Sequence, residues 1–318
     1  MTNTITRTRI PHKLRSEIIS FCLLLVAVGF GLMLSGEAAE YVKDGMRLAA
    51  NCVIPSSFPF MIISDLYSAY GRPENLRLLG AAVSKLLGIP PAGLGAFICG
   101  NIGGFPIGAK MCSDLYESGM LSKEEAERLI PLCNNPSSAF VIGGVGIGMC
   151  GNARIGFALL ASIVISTVLC GMITKHKTQN DRIFDNKLEQ SYNFIASVKK
   201  SGTSCIGIFS FICIFSVALG ILKKRVKYAP ILYVILSVSE VTNAVSTLTT
   251  AGIFPPEIRL AWCSFSLGFG GLCVGMQSAY FASSAGLSMK KYYAIKLLEG
   301  LLSASISPLA YRFFNTIF

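Results

Sequence analysis

Three runs without a single charged residue, Ile18–Gly36, Ile155–Ile173 and Gly202–Leu222, constrain this chain more than any other feature. Each meets the roughly 18–20 residues an α-helix needs to cross the hydrocarbon core of a bilayer. Of 318 residues, 52% are hydrophobic and only 14% are charged, where a soluble domain carries roughly 25% charged residues. So much apolar surface has no place to hide in a water-soluble fold of this size. The expected class is all-α and polytopic, with most of the mass inside the bilayer and lipid around it.

The formal net charge of +11 invites a nucleic-acid reading. However, the basic residues sit at loop positions: Arg7, Arg9, Lys13 and Arg15 before the first run, and Lys223, Lys224, Arg225 and Lys227 after another. That is the bias of membrane loops, and no nucleic-acid partner is expected. The basic start and apolar run also resemble a signal peptide. The run is longer than the 7–15 residues or so of a signal core, which predicts a retained first span over 18–36 with a cytoplasmic N-terminus. The eleven cysteines form no C-x-x-C pair. Lying mostly in apolar runs, they read as small buried hydrophobes kept reduced.

The other apolar segments are interrupted. Leu48–Ser64 carries Pro55 and Pro59. Leu86–Ala109 carries Pro90, Pro91, Pro106 and seven glycines. Leu129–Ala153 is broken at Asn134–Asn135–Pro136. Tyr228–Pro256 holds Glu240 as its one charge, and Leu260–Met289 contains Gly268–Phe269–Gly270–Gly271. Backbone released from helical hydrogen bonds cannot face lipid, so such breaks belong inside protein or along a water-filled cavity. Several in one chain predict interrupted or re-entrant helices around a binding cavity, the plan of many transporters. A proline kink or close glycine packing would explain any one of them alone.

The polar stretch 175–200 reads as a linker between a first half, 1–174, and a second half, 201–318. Breaks near Pro106 and Pro136 in one half, and near Glu240 and Gly268 in the other, share a spacing of about 30 residues, which suggests two structural repeats. Basic residues flank 202–222 at both ends, so part of 188–200 is expected to lie on the membrane as an interfacial helix.

The candidate substrate-binding residues follow from the breaks. Asn101, Pro106 and Lys110 belong to the glycine-rich segment; a cation at Lys110 suits an anionic group, or the side chain snorkels to the interface. Asn134, Asn135, Ser137 and Ser138 offer neutral donors and acceptors, or cap the broken helix ends. Glu240, with Thr242 and Asn243, is a carboxylate in an apolar stretch and by default a functional position; it can hold a coupling proton or cation, or pair with Lys110. Gln277 faces the same cavity or bonds a neighbouring helix. Ser56 and Ser57 are weaker candidates. The repeated string Ser64–Asp65–Leu66–Tyr67 and Ser113–Asp114–Leu115–Tyr116 reads as coincidence, with both aspartates at the interface. Ser122 and Glu125 form a capping box with a structural role only.

An enzyme is not expected. The two histidines, His12 and His176, lie outside the spans, no metal or triad pattern surrounds them, and no cofactor motif is present.

Gly104–Phe105–Pro106–Ile107–Gly108–Ala109–Lys110 resembles the G-[YF]-P-x-G-A-K signature of the YlbJ-like sporulation integral membrane proteins, grouped with the nucleoside-recognition, or GATE-domain, membrane proteins. Ile54–Pro55–Ser56–Ser57–Phe58–Pro59–Phe60, Glu125–Ala126, Asn135 to Gly143, Glu240–x–Thr242 and Gly270–Gly271…Gln277 support it in order over about 50–290. The family's Glu–x–Thr–x–Gly ends here in Ala244. The resemblance implies a fold akin to concentrative nucleoside transporters and a role in spore-forming cells. It also implies a carrier for a dipicolinic-acid-like metabolite, with Lys110 meeting the dianion and Asn134, Asn135 and Ser137 its polar edges. A nucleoside carrier, or a non-transporting assembly or gating component, remains the alternative. A homo-oligomer or membrane partner is left open.

Overall fold

The computed structural model describes residues 35–70, 77–175, 193–226, 229–250, 252 and 254–317. The first expected span, both histidines and most of the polar linker lie outside these residues. Among them every regular element is helical. Helices α1 (Ser35–Leu48) and α2 (Ile54–Tyr70) are joined without a break by a π-helical turn, Ala49–Val53. Pro55 and Pro59 therefore do not interrupt the chain as the sequence suggested. Pro59 sits inside the helix, and the wider π turn just before α2 takes up the local irregularity.

α3 (Arg77–Leu87) leads to α4 (Leu94–Gly103) and α5 (Ile107–Glu117). These two fold back on each other: a Cβ placed on Gly100 would lie 2.8 Å from the Cα of Gly108. Only glycine at both positions allows that approach. α6 (Lys123–Cys133) starts at the expected capping box: the Ser122 hydroxyl accepts from the Glu125 N–H, and the Glu125 carboxylate accepts from the Ser122 N–H. It gives way at Asn134–Ser137 before the π-helical α7 (Phe140–Met149).

α8 (Ala153–Ile173) and α9 (Phe194–Arg225) are unbroken. α9 already begins at Phe194, so residues 194–200 belong to a long spanning helix and not to a separate interfacial one. It runs antiparallel to 35–70: Gly220 lies against Tyr41, Cys205 against Met61, and Ser197 bonds Asp65. α10 (Ala229–Ser239) and α11 (Val241–Thr250) pack together on either side of Glu240, with Leu236 and Ala244 in one cluster. α12 (Pro256–Phe269) and α13 (Gly271–Ser284) are separated by Gly270 in the left-handed conformation, φ 81°, and α14 (Lys290–Ile317) closes the chain.

Among the described residues, three helical stretches are long and apolar enough to cross a membrane: Ala153–Ile173, Phe194–Arg225 and Pro256–Ser284. Large apolar side chains such as Ile173, Ile206, Ile214 and Leu309 point outward, as lipid-facing positions do. The nine cysteines whose side chains are described are free thiols, as the sequence implied.

Candidate functional site

The breaks meet. A Cβ on Gly104, at the turn between α4 and α5, would touch Ser137 in the α6–α7 break. Gly270, between α12 and α13, lies against the ring of Phe105, and Gly271 against the backbone of Ser239 and Glu240. Two helical hairpins and two interrupted helices therefore share one locus, around a cavity of about 90 Å³. That volume is room for about three waters, below the roughly 300 Å³ at which small-ligand sites begin. The cavity is narrow in this conformation. A larger one of about 190 Å³ lies between α7, α8, α11 and α12 beside Arg259, and takes in none of the breaks.

Polar groups in the central lining are Ser57, Ser137, Glu240, Thr242 and Gln277; Phe105 and Phe140 supply aromatic walls. Both Glu240 oxygens are occupied. One accepts from the Thr242 N–H at 2.9 Å; the other accepts from the Asn243 N–H at 2.7 Å and its side-chain amide at 2.8 Å. Glu240 thus caps the start of α11, the job usually done by Asp or Ser. The Gln277 nitrogen reaches only the Cys273 sulfur, at 3.3 Å. Its oxygen is left to the cavity although the residue is 4% exposed. Asn243 lies further out, bonded to Lys223 at 2.7 Å.

Lys110 is placed elsewhere. It is buried and bonded to Asp65, to Asp114 at 2.7 Å and to Ser64 at 3.4 Å. Lys200 bonds the other oxygen of Asp114 at 2.9 Å, and Ser197 the other oxygen of Asp65 at 2.7 Å. Lys110 neither lines the cavity nor pairs with Glu240. The two Ser-Asp-Leu-Tyr aspartates, read from sequence as interfacial, are its partners. Their repetition, read from sequence as coincidence, marks the two carboxylates that share this lysine.

Asn134 and Asn135 turn from the cavity into the helical core. Asn134 donates to Ser278 at 2.8 Å and Tyr292 at 2.9 Å. Asn135 donates to Asn101 at 2.8 Å and Thr167 at 3.0 Å, and its oxygen accepts from Lys296 at 2.7 Å. Lys296 pairs with Glu299 at 2.9 Å, both fully buried. Sequence reasoning passed over this pair, because a search for lone charges in uncharged runs skips 290–299. Pro106 opens α5 at the hairpin turn, and Ser138 is half-buried outside the cavity lining. Among the described residues no His/Cys/Asp/Glu group is arranged to hold a metal ion.

Apolar spans, buried charges and helices broken inside the fold define a polytopic α-helical integral membrane protein. Over 93% of its length the chain is similar to the sporulation integral membrane protein YlbJ of Bacillus subtilis (strain 168), with 24% identity over 344 aligned positions covering 82% of that protein. This bears out the YlbJ-like resemblance carried by Gly104–Lys110. No family model matches the chain, and no solved structure matches it significantly.

Proposed function

We propose that this protein is an alternating-access carrier for a small, planar, polar metabolite, built from two halves of inverted topology. One observation carries the reading: four interrupted segments converge on one cavity whose polar groups are not all used by the protein. A scaffold would gain nothing from leaving the Gln277 amide short of partners at that depth. The order of elements supports the inverted plan. In the first half, the span 35–70, the hairpin α4–α5, the interrupted α6–α7 and the span α8 follow one another. In the second, α9, the hairpin α10–α11, the interrupted α12–α13 and α14 repeat that order, with α9 antiparallel to its counterpart. Binding at the meeting point of such halves is the common arrangement in carriers of this type.

Dipicolinate is the first candidate substrate, on the resemblance and on the sporulation role in the name of the similar Bacillus protein. Its ring would lie against Phe105 and Phe140, and its carboxylates would take hydrogen bonds from Ser57, Ser137, Thr242 and Gln277. Among the described residues the central lining holds no lysine or arginine, which favours a second reading, a neutral nucleoside using the same groups. Either ligand needs the hairpin turns to part, since about 90 Å³ holds neither.

The test is uptake of labelled dipicolinate and of labelled uridine into proteoliposomes, comparing wild type with Gln277→Ala and Ser137→Ala. The carrier reading expects uptake of one of the two, reduced at least tenfold in both variants at equal reconstitution. Uptake of neither, with Gln277→Cys inaccessible to a small maleimide from both sides, returns the chain to the non-transporting class.

A further inference from the structure

The Lys296–Glu299 pair lies at the junction of the elements that any opening of the cavity must rearrange. Both residues stand on α14, one turn apart. Glu299 accepts from the Thr167 hydroxyl of α8 at 2.7 Å and from Lys296 at 2.9 Å. Lys296 gives its second hydrogen bond to Asn135 in the α6–α7 break, at 2.7 Å. Its remaining side faces the ring of Phe105, the hairpin-turn residue, with the ammonium 5.9 Å from the centroid. Asn135 in turn holds Asn101 on the first arm of that hairpin. One charge pair thus touches α8, α14, a helix break and the hairpin.

The pair is thinly coordinated for its depth. A carboxylate has about four acceptor sites and an ammonium three donors; here two bonds serve each. Taking two ions out of water is offset only when the remaining sites are also satisfied. Adding a proton to Glu299 therefore breaks no saturated network, and it leaves the Lys296 cation to the Asn135 oxygen and the face of Phe105. Glu240 differs. Both its oxygens are committed to the backbone of α11, which suits a fixed cap.

We propose that Glu299 is a proton-binding site that loads and empties while the protein remains folded, and that Lys296 is the partner whose hold on Asn135 and Phe105 changes with that proton. The proton comes from water and binds a Glu299 oxygen. Lys296 keeps its own, so the pair passes from neutral to a single positive charge. Lys296 then leans on Asn135 and Phe105 alone, which ties the protonation state to the helix break and the hairpin turn. Among the described residues, Tyr292 on α14 and Cys170 on α8 lie within electrostatic reach of Glu299; α6, also packed on α14, brings Glu127, whose carboxylate accepts from the Ser288 N–H. α12 faces this stretch with Gly268 and Ser264, which carry no charge. The inference deepens the carrier reading by supplying its coupling ion.

The experiment needs no transported substrate. Infrared difference spectra of the full chain in lipid nanodiscs, recorded between acidic and alkaline buffer, report protonated carboxyl groups through their C=O stretch. The expected result is a reversible carboxyl band present in wild type and Glu240→Gln and absent from Glu299→Gln. Lys296→Met, which leaves Glu299 without its cation, should hold the proton and keep the band in alkaline buffer. That second variant keeps the test decisive if Glu299→Gln folds poorly. Wild-type and Glu299→Gln spectra that coincide, or no persistent band in Lys296→Met, overturn the proposal and make the pair a fixed ion pair. The carrier reading would still stand or fall on its own uptake experiment.

Discussion

Asp65 and Asp114 hold one ammonium between them. They come from helices α2 and α5, each second in a Ser-Asp-Leu-Tyr string, and Lys110 lies between them almost without exposure. Lys200 on α9 covers the outer side. The cluster ties the second arm of the first hairpin to the two antiparallel helices beside it. Its work is structural as arranged, and that changes what a Lys110 variant reports.

Lys110→Ala strands two carboxylates that have little water to turn to. Breaking a buried ion pair from one side costs about 3–5 kcal/mol. The expected outcome is a large drop in thermal midpoint in detergent, with poor extraction yield, before any ligand is added. The triple variant Asp65→Asn, Lys110→Met, Asp114→Asn removes the charges together and should recover most of the loss. If Lys110→Ala keeps the wild-type midpoint, the cluster is not what holds the hairpin.

The first hairpin also depends on contact with no side chain at all. A Cβ on Gly100 or Gly108 would sit 2.1 or 1.9 Å from the Cys133 carbonyl oxygen. Backbone cannot swing aside as a side-chain tip can, so Gly100→Ala and Gly108→Ala should each exceed the usual overpacking cost of about 1–3 kcal/mol. Gly143 has no neighbour within 4 Å of its would-be Cβ, and Gly143→Ala should stay within about 1 kcal/mol of wild type. Monodispersity after extraction, read by gel filtration, separates the two classes. Three indistinguishable profiles would remove the close approach as a determinant of the fold.

The breaks at Pro106, at Asn134–Pro136 and at Glu240 were legible because each sets a helix breaker or a charge inside an uncharged run, where lipid leaves few alternatives. Pro55 and Pro59 gave the same signal and no break, since a helix packed on neighbours can absorb the lost N–H groups through a π turn. Burial direction was not legible. Asn134 and Asn135 face α8, α13 and α14 instead of the cavity, and Lys110 faces two aspartates distant in sequence. Lys296 and Glu299 were hidden for the opposite reason. They lie beside Lys290 and Lys291 in a stretch that reads as a charged helix start, and only the packing of α14 on α8 and α12 shows them buried.

Arg128 does work that no motif announced. Its guanidinium donates to the carbonyls of Thr174 at 2.7 Å, Gly88 at 2.9 Å and Gly171 at 3.0 Å, and also to Leu87. These are the final carbonyls of α3 and α8, which helix geometry leaves without partners. Arg128→Lys keeps the charge and loses the planar fork. Each buried carbonyl left bare costs about 1–3 kcal/mol, so even this variant should lower the thermal midpoint clearly, and Arg128→Met more. Equal midpoints for Arg and Lys would show that charge alone suffices there.

Glu240 offers the sharpest separation between a cap and a working carboxylate. As a cap it must accept from two backbone N–H groups, Thr242 and Asn243. Aspartate does this well at helix starts, whereas glutamine has one acceptor oxygen and turns a donor toward an N–H. Glu240→Asp should therefore hold wild-type stability, and Glu240→Gln should lose about 1–2 kcal/mol through the misplaced donor. Hydrogen exchange at the Thr242 and Asn243 amides tests this locally: faster in Glu240→Gln, unchanged in Glu240→Asp. Unchanged exchange in both would mean that the carboxylate is free of the helix start and available to a ligand or a proton, and Glu240 would then join Glu299 as a candidate for coupling.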